Sequence, residues 1–426
     1  MDKISVVVTT YNIEEYVGQC LKSVVDQDYE NLEIIVVDDG SSDSTPSIIR
    51  EFAERDSRIV PILLEENTPG GVATGANVGI SKATGEWIGF VDGDDWCEPD
   101  MFSSLIQLGK DTGSDLVIGD FRNYNQIDDT YYDPSDRKHW LSDIEKGSPL
   151  SSVGDKKRLL KFNPVPWRKL YSSKLIHDND IRYPEGDYFY EDNPFHWFCI
   201  SKANSISLLE KVLCYHRMNR VGQTMSTGDE RLLAFYDHHD TILSWLKATG
   251  EYDTYKNELV LWVINNTCWI YDAIESDLKN EVLLCLSGAL HKHDSSFVQR
   301  VINSQNMGNK GRDLANRALT SFDQSEDGVY ISDSVKYTSS SRVRKILLLA
   351  KETKVYYEQY GAKETARKIR QYLYARSPVK SKFFSPRKNK GGGNLTGIER
   401  DIKEVRQRLE FSELIRLLED EERRVP

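Results

Sequence analysis

Three carboxylate clusters in the first half of this 426-residue chain have spacing suited to chemistry: Asp38-Asp39, Asp92-Gly93-Asp94-Asp95 and Glu191-Asp192. Asp92 and Asp94 flank a glycine directly after the apolar run Trp87–Val91. That spacing can present oxygens to a hard divalent cation, Mg2+ or Mn2+, that also bridges a diphosphate. A cation so held neutralises the charge of a departing nucleotide diphosphate. Glu191 and Asp192 are adjacent, and adjacent carboxylates raise each other's affinity for protons. Standing alone, an Asp-x-Asp is more often an acidic turn and a Glu-Asp pair a solvated helix start, so the surrounding elements decide the meaning.

Those elements alternate regularly. Ile4–Thr9, Leu32–Val37, Ile59–Leu63 and Trp87–Val91 are short, largely apolar runs rich in β-branched residues, which predict strands buried in a parallel sheet. Between them, Asn12 and Glu15 read as a capping box opening a helix through Tyr16, Val17, Cys20, Leu21, Val24 and Val25. Ser47–Glu54 reads as a helix with Pro46 in its opening turn, and the Gly-rich loop Thr68–Gly71 leads into a third helix through Val78, Ile80 and Ala83. The alternation predicts right-handed crossovers and a parallel, doubly wound α/β sheet, whose ligands sit at the carboxyl ends of the strands. Thr9, Thr10 and Asn12, then Asp38, Asp39 and Asp43, then Asp92, Asp94 and Asp95 all follow strand ends, so one rim collects them.

Length, charge and cysteine usage set the remaining bounds. A single core stops growing at about 250–300 residues, so several parts are expected: a catalytic domain at 1–226, a helical accessory domain at 227–335, a basic amphipathic arm at 336–390, and a Gly linker with a charged terminal helix at 391–426. The net charge of −12 argues against a global affinity for nucleic acid or an anionic membrane. Locally, residues 336–390 hold sixteen Lys or Arg and three Glu, a balance of +13 that leaves −25 elsewhere. With its tyrosines this arm suits an anionic membrane surface, each nearby cation contributing about 1 kcal/mol; packing on the acidic body and binding an anionic acceptor are the other readings. Ile398, Ile402, Val405 and Leu409 suggest a short oligomerising coil. Six scattered cysteines form no Cys-x-x-Cys pair. No export signal and no ~18-residue apolar span are recognisable, so the expectation is a cytoplasmic protein able to sit peripherally at the inner face of the membrane.

Ser5–Asn12 (SVVVTTYN), Val36–Ser44 (VVDDGSSDS) and Gly70–Asp95 (GGVATGANVGISKATGEWIGFVDGDD) resemble, in order, the signatures of the family 2 glycosyltransferases, inverting enzymes with a GT-A nucleotide-binding fold. Trp167-Arg168-Lys169-Leu170-Tyr171, Ile181–Gly186 and Tyr190–Asn193 extend the resemblance across roughly residues 1–226. It implies a mostly parallel sheet followed by a helical region. It also implies that Thr9, Tyr11 and Asp39 hold the base and ribose, with Asn77 beside the nucleotide. The resemblance further implies that Asp92 and Asp94 form the motif that binds Mn2+ or Mg2+, with Asp94 the direct ligand and Asp92 nearer the ribose or a metal-bound water, and that Asp192 is the general base with Glu191 tuning it or binding acceptor. Trp96 and Trp167 become candidates for stacking on a sugar ring.

Three departures stand out. Thr9 occupies a position where proline is common, Ala76 replaces a common Arg or Lys before Asn77, and Thr224 stands where some relatives carry histidine. Arg217 and Arg220 are the candidates to replace the missing cation at the diphosphate, and His216 reads as a packing or acceptor-side residue. The expected activity moves a hexose or N-acetylhexosamine from a UDP-sugar to a cell-surface glycan or lipid-linked precursor, without nucleic acid as a partner. The alternatives are a nucleotide- or glycan-binding protein that keeps the fold without turnover and, more weakly, a nucleotidyltransferase.

Overall fold

The computed structural model describes residues 1–323 apart from 142–143, 187–188 and 221–227. The basic arm at 336–390, the terminal helix at 391–426 and Thr224 therefore lie outside the described residues.

The first half folds around four parallel strands: β1 (Ile4–Thr10), β2 (Leu32–Asp38), β3 (Ile59–Leu63) and β4 (Trp87–Asp92), in the order β3-β2-β1-β4. The crossovers are α1 (Val17–Val25), α2 (Thr45–Arg55) and α3 (Gly71–Lys82). Side-chain alternation divides the core between the two sheet faces. Val7, Ile88 and Phe90 enter one apolar cluster, while Val6, Val8, Ile34, Val36 and Val91 enter the other.

Past β4 the sheet becomes mixed. The chain continues through β5 (Trp96–Cys97), α4 (Met101–Thr112), β6 (Leu116–Asn125) and β7 (Thr130–Tyr132), then α5 (Arg137–Trp140), α6 (Val153–Leu159), β8 (Lys169–Ser172), α7 (Ser173–Asp178), α8 (Asp192–Lys202) and β9 (Ile206–Met218). The full order is β3-β2-β1-β4-β8-β6-β9-β5, with β7 paired to β6. β8 runs antiparallel to both β4 and β6, β9 runs parallel to β6, and β5 is antiparallel to β9. The sheet is mostly parallel, as expected, with β8 and the short β5 and β7 as its antiparallel members. Helix α4 carries the chain to β6, which runs in the direction of β4, and β8 then enters between them from the opposite end behind the Pro166–Arg168 turn, pairing Trp87–Gly89 in reverse.

The capping-box reading of Asn12 and Glu15 is also corrected. Helix α1 begins at Val17 with no side-chain cap, and Asn12 adopts a left-handed φ of 47°. Its Oδ1 accepts from the Ser42 N–H at 2.8 Å, its own N–H donates to Ser41 Oγ at 2.8 Å, and the Glu14 N–H donates to Asp43 at 3.0 Å. These bonds staple the loop after β1 to the loop after β2, making one rim of two strand ends.

The helical region comprises α9 (Ala234–Ala248), α10 (Tyr252–Ala273), α11 (Lys279–His291), α12 (Ser295–Ile302) and α13 (Asn309–Asp323). Ile242, Leu243, Leu246, Tyr255 and Leu259 of α9 and α10 share a core with Trp197 of α8 and Ile88 of β4. Among the described residues, no helix is long and apolar enough to cross a membrane.

Helix α3 lies against β1 through a glycine. A Cβ at Gly79 would collide with Val7 Cγ1 and stand 2.8 Å from Cγ2. Alanine is the better helix former by about 1 kcal/mol, but overpacking a rigid β-branched neighbour costs about 1–3 kcal/mol. Gly79→Ala is expected to lower the urea midpoint; a midpoint at or above that of the wild type would contradict this contact.

Candidate functional site

The site is built where β4 ends. Asp92 closes the strand opposite Thr9 of β1, and the Gly93 N–H donates to Thr9 O at 3.0 Å. A Cβ at Gly93 would lie 2.8 Å from that same carbonyl and 2.5 Å from Ile13 Cδ1, so only glycine lets the turn carry Asp94 over the end of β1. Asp95 then turns inward: its carboxylate accepts the Arg217 N–H at 2.7 Å and meets His216 Nδ1 at 2.8 Å. Arg217 donates through Nε to Asp94 O at 2.9 Å and through Nη2 to Gln19 at 2.7 Å, with its guanidinium over the rings of Tyr16 and Trp96 at 4.9 Å each. Arg220 pairs with the carboxylate of Asp94.

Three carboxylates therefore face three cationic side chains delivered by β9 and the residues after it. Burial pushes Asp92 well above the usual carboxylate range, and repulsion from Asp95 and Asp94 adds to it. Burial works against a charge on His216, but Asp95 in contact, with Asp94 and Asp92 beyond, outweighs it and pushes the imidazole up to about 9. His216 is thus an imidazolium at neutral pH, a counter-ion for the acidic turn.

The expected nucleotide residues divide. Tyr11 is about half exposed, and Asp39 on the next loop accepts from the Thr68 N–H and from Asn67 Nδ2, both at 3.1 Å. Burial raises the Asp39 carboxyl despite these bonds. Asn77 is committed elsewhere: it donates to Tyr183 O at 2.9 Å and to Glu185 at 2.8 Å, and its Oδ1 accepts the Tyr183 N–H at 2.9 Å, latching α3 to the segment after α7. Ala76 is buried in the core beside Ala73 and Ile80, so a cation there would point into apolar packing rather than toward a diphosphate. Its identity therefore gives no support to a binding protein without turnover.

The aromatic candidates need correction. Trp167 is 4% exposed, stacked on His216 at 5.2 Å with Phe121 edge-on at 4.7 Å, and so offers no free face to a sugar. It supports His216 instead. Trp96 retains some exposure but stacks on Tyr215 at 5.3 Å and meets Tyr124 edge-on at 5.2 Å.

Glu191 and Asp192 sit at the start of α8, where the helix N-terminus favours negative charge. Tyr190 just before them has φ of 67°, a left-handed conformation rare for a bulky residue. Its ring packs on Phe235 of α9 at 4.6 Å, and His238 Nε2 of α9 bonds Phe189 O at 2.6 Å, so the helical region clamps this loop. Burial raises Asp192 to about 6, while Lys169 and hydrogen bonds from Asn193 hold it down. Burial raises Glu191 to about 8, with repulsion from Asp192 adding to it. Near pH 7 one carboxyl is ionised and its neighbour protonated, the separation that lets a pair divide base and acid roles. The charge of Asp192 adds to the upward shift of Asp92.

Sequence reasoning missed Lys169 and His238 as site residues. Lys169 lies inside the Trp-Arg-Lys-Leu-Tyr block, and its signal is a pair of cations leading into the apolar Leu170-Tyr171; nothing local in the sequence marks His238.

Titration of Glu191 gives a stability test. The folded-state value, near 8, lies above the ordinary value of 4.5. The stability this group contributes is therefore complete below about pH 4.5 and is lost as pH rises through about 8. Glu191→Gln is expected to melt progressively higher than the wild type between pH 5 and 8, with a constant gap above; a pH-independent gap would contradict the burial of this carboxyl.

A family model described as glycosyl transferase family 2 matches residues 5–171. The uncharacterized glycosyltransferase EpsJ of Bacillus subtilis is 30% identical over 248 residues, 55% of this chain and 70% of its own length. Glycosyltransferase GlyA of Streptococcus pneumoniae is 33% identical over 182 residues, 41% of this chain but only 25% of GlyA. Poly(ribitol-phosphate) beta-N-acetylglucosaminyltransferase TarS of Staphylococcus aureus is 29% identical over 239 residues, 56% of this chain and 39% of TarS. The crystal structure of TarS residues 1–349 in complex with UDP superposes with a TM-score of 0.51 at 21% identity, covering 76% of this chain and 91% of that one, a likeness of fold.

Proposed function

Because this chain belongs to glycosyl transferase family 2 and has a GT-A-like fold, we propose that it transfers a hexose or N-acetylhexosamine from a UDP-sugar to a hydroxyl of a cell-surface glycan or lipid-linked precursor, with inversion in a single displacement. The observation that carries the proposal is the acidic turn set at the carboxyl end of β4 against β1, with Arg217 and Arg220 bonded to Asp94 and a carboxylate pair, Glu191 and Asp192, at the start of α8. The UDP bound to TarS and the poly(ribitol-phosphate) acceptor in that protein's name support a UDP-linked donor and a cell-wall-type acceptor.

In this reading Tyr11, Thr9 and Asp39 receive the base and ribose, and Arg220 turns from Asp94 toward the diphosphate. Asp192 takes the proton of the acceptor hydroxyl as that oxygen attacks the anomeric carbon. Glu191, protonated at neutral pH, donates a hydrogen bond to the acceptor. Among the described residues, no group of three or more His, Cys, Asp or Glu side chains could hold a metal. Asp92 and Asp94 nevertheless offer the oxygen donors a hard cation takes, their mutual repulsion favours one, and diphosphate oxygens would complete its shell. Bound there, Mn2+ or Mg2+ would supply charge neutralisation for the leaving UDP. The +13 segment at 336–390 would bring the enzyme to an anionic membrane surface, and the terminal helix would support homo-oligomers.

The test is UDP release from a panel of UDP-sugars with Mn2+ or Mg2+. Asp192→Asn should lower kcat by about 10²–10⁴-fold while UDP affinity is kept, and Asp94→Ala or chelation should remove metal-stimulated turnover. Since the base works ionised, kcat should fall as pH drops below about 6. Full transfer by Asp192→Asn would overturn the assignment.

A further inference from the structure

Lys169 is 1% exposed in the middle of the sheet, on β8 between β4 and β6. A buried ammonium is costly unless paired, and here, among the described residues, its bonds go to two neutral acceptors, Pro164 O at 2.7 Å and His196 Nδ1 at 2.9 Å. The adjacent Arg168 has its own partner, Asp136, at 2.7 Å with both groups buried. His196 Nε2 faces Leu159 O at 3.1 Å, which requires a proton on Nε2 and leaves the Nδ1 lone pair for Lys169. His196 is therefore held neutral in one tautomer, and burial lowers its proton affinity further.

This tie reaches the base through α8. His196 stands four residues after Asp192, on the same helical face and one turn below it. We propose that Lys169 is a positioning residue for the base: its buried ammonium, tied to His196, fixes the first turn of α8 and keeps Asp192 ionised from behind. The inference rests on the transferase reading, in which Asp192 is the base. It accounts for a buried cation without a carboxylate in contact, because the charge acts at a distance on a carboxylate that must stay ionised in a desolvated place.

Other groups surround the pair. Arg168 and Asp136 flank Lys169, and Cys199 of α8 lies near it. Glu191 neighbours Asp192, while Asp92 on β4, Tyr171 on β8, Tyr183 and Tyr190 all sense its charge. Of the groups whose influence on Asp192 is resolved, Lys169 is the one that favours its ionised form by charge alone. Burial brings Lys169 itself down to about 7, so its own proton is in play near neutrality.

The experiment is a carboxyl-carbon NMR titration of the full-length chain labelled at aspartate Cγ, with the Asp192 resonance assigned by its loss in Asp192→Asn. In Lys169→Met the midpoint of Asp192 is expected to move upward by about one pH unit or more. UDP release from UDP-N-acetylglucosamine by that variant should be about tenfold lower at pH 6 and recover toward the wild-type rate at pH 8.5. A purely structural role would lower the rate equally at all pH values. An unmoved midpoint, or an equal loss at every pH, overturns the proposal. Should Lys169→Met fail to melt cooperatively, the wild type decides: the Asp192 carbon must show a second inflection where the Lys169 15Nζ resonance titrates, and a single inflection overturns the proposal. Absence of donor turnover by the wild type would sink the transferase reading alone, since the carboxyl midpoints still decide whether the two groups are coupled.

Discussion

Burial of the carboxylates Asp92, Asp95 and Asp192, with repulsion inside the acidic turn added to it, is the constraint that the rest of the structure accommodates. Gathering these carboxylates away from water raises the proton affinity of the buried ones, and the fold answers with cations and donors from elsewhere in the chain. His216, Arg217 and Arg220 come from β9 and just beyond it, Lys169 acts from β8, and the N-terminus of α8 adds its own partial charge. The mixed sheet serves the same need. A purely parallel continuation would not lay β9 against β5, and it is that antiparallel pairing, Trp96 opposite Tyr215, that brings His216 and Arg217 to Asp95.

Much of the sheet region could be read from local pattern. The four parallel strands appear as apolar β-branched runs, and their polar ends appear as Thr9, Asp39 and Asp92. The second half could not, because its strands do not announce themselves: β8 carries a lysine through the core, and β9 crosses from buried Ile206 to the charged His216-Arg217 pair. Side-chain roles failed where local and long-range bonding compete. Asn12 looked like a cap because its spacing to Glu15 fits one, yet Ser41 and Ser42 from another loop claim its bonds. Trp167 looked like a sugar platform, yet His216 and Phe121 occupy its faces. Ala76 looked like a missing cation, yet it belongs to the core face of α3.

The helical region contributes more than an accessory reading implies. Phe235 and His238 hold the strained turn at Tyr190 that starts α8, so the orientation of Asp192 depends on residues some forty positions later. Within this arrangement Asp192 and Glu191 differ in proton affinity by burial and by the reach of Lys169 rather than by chemistry. That difference leaves one carboxylate ionised beside a protonated neighbour near neutral pH.

Direct attack by an acceptor oxygen activated by Asp192, the central claim, fixes the stereochemistry of the product. Proton NMR of the newly formed glycoside from an α-linked UDP-sugar measures it. Single displacement predicts a β-anomer as the first product, formed in one step. An α-anomer would require a double displacement or an internal return, and would contradict the single-base mechanism built on Asp192.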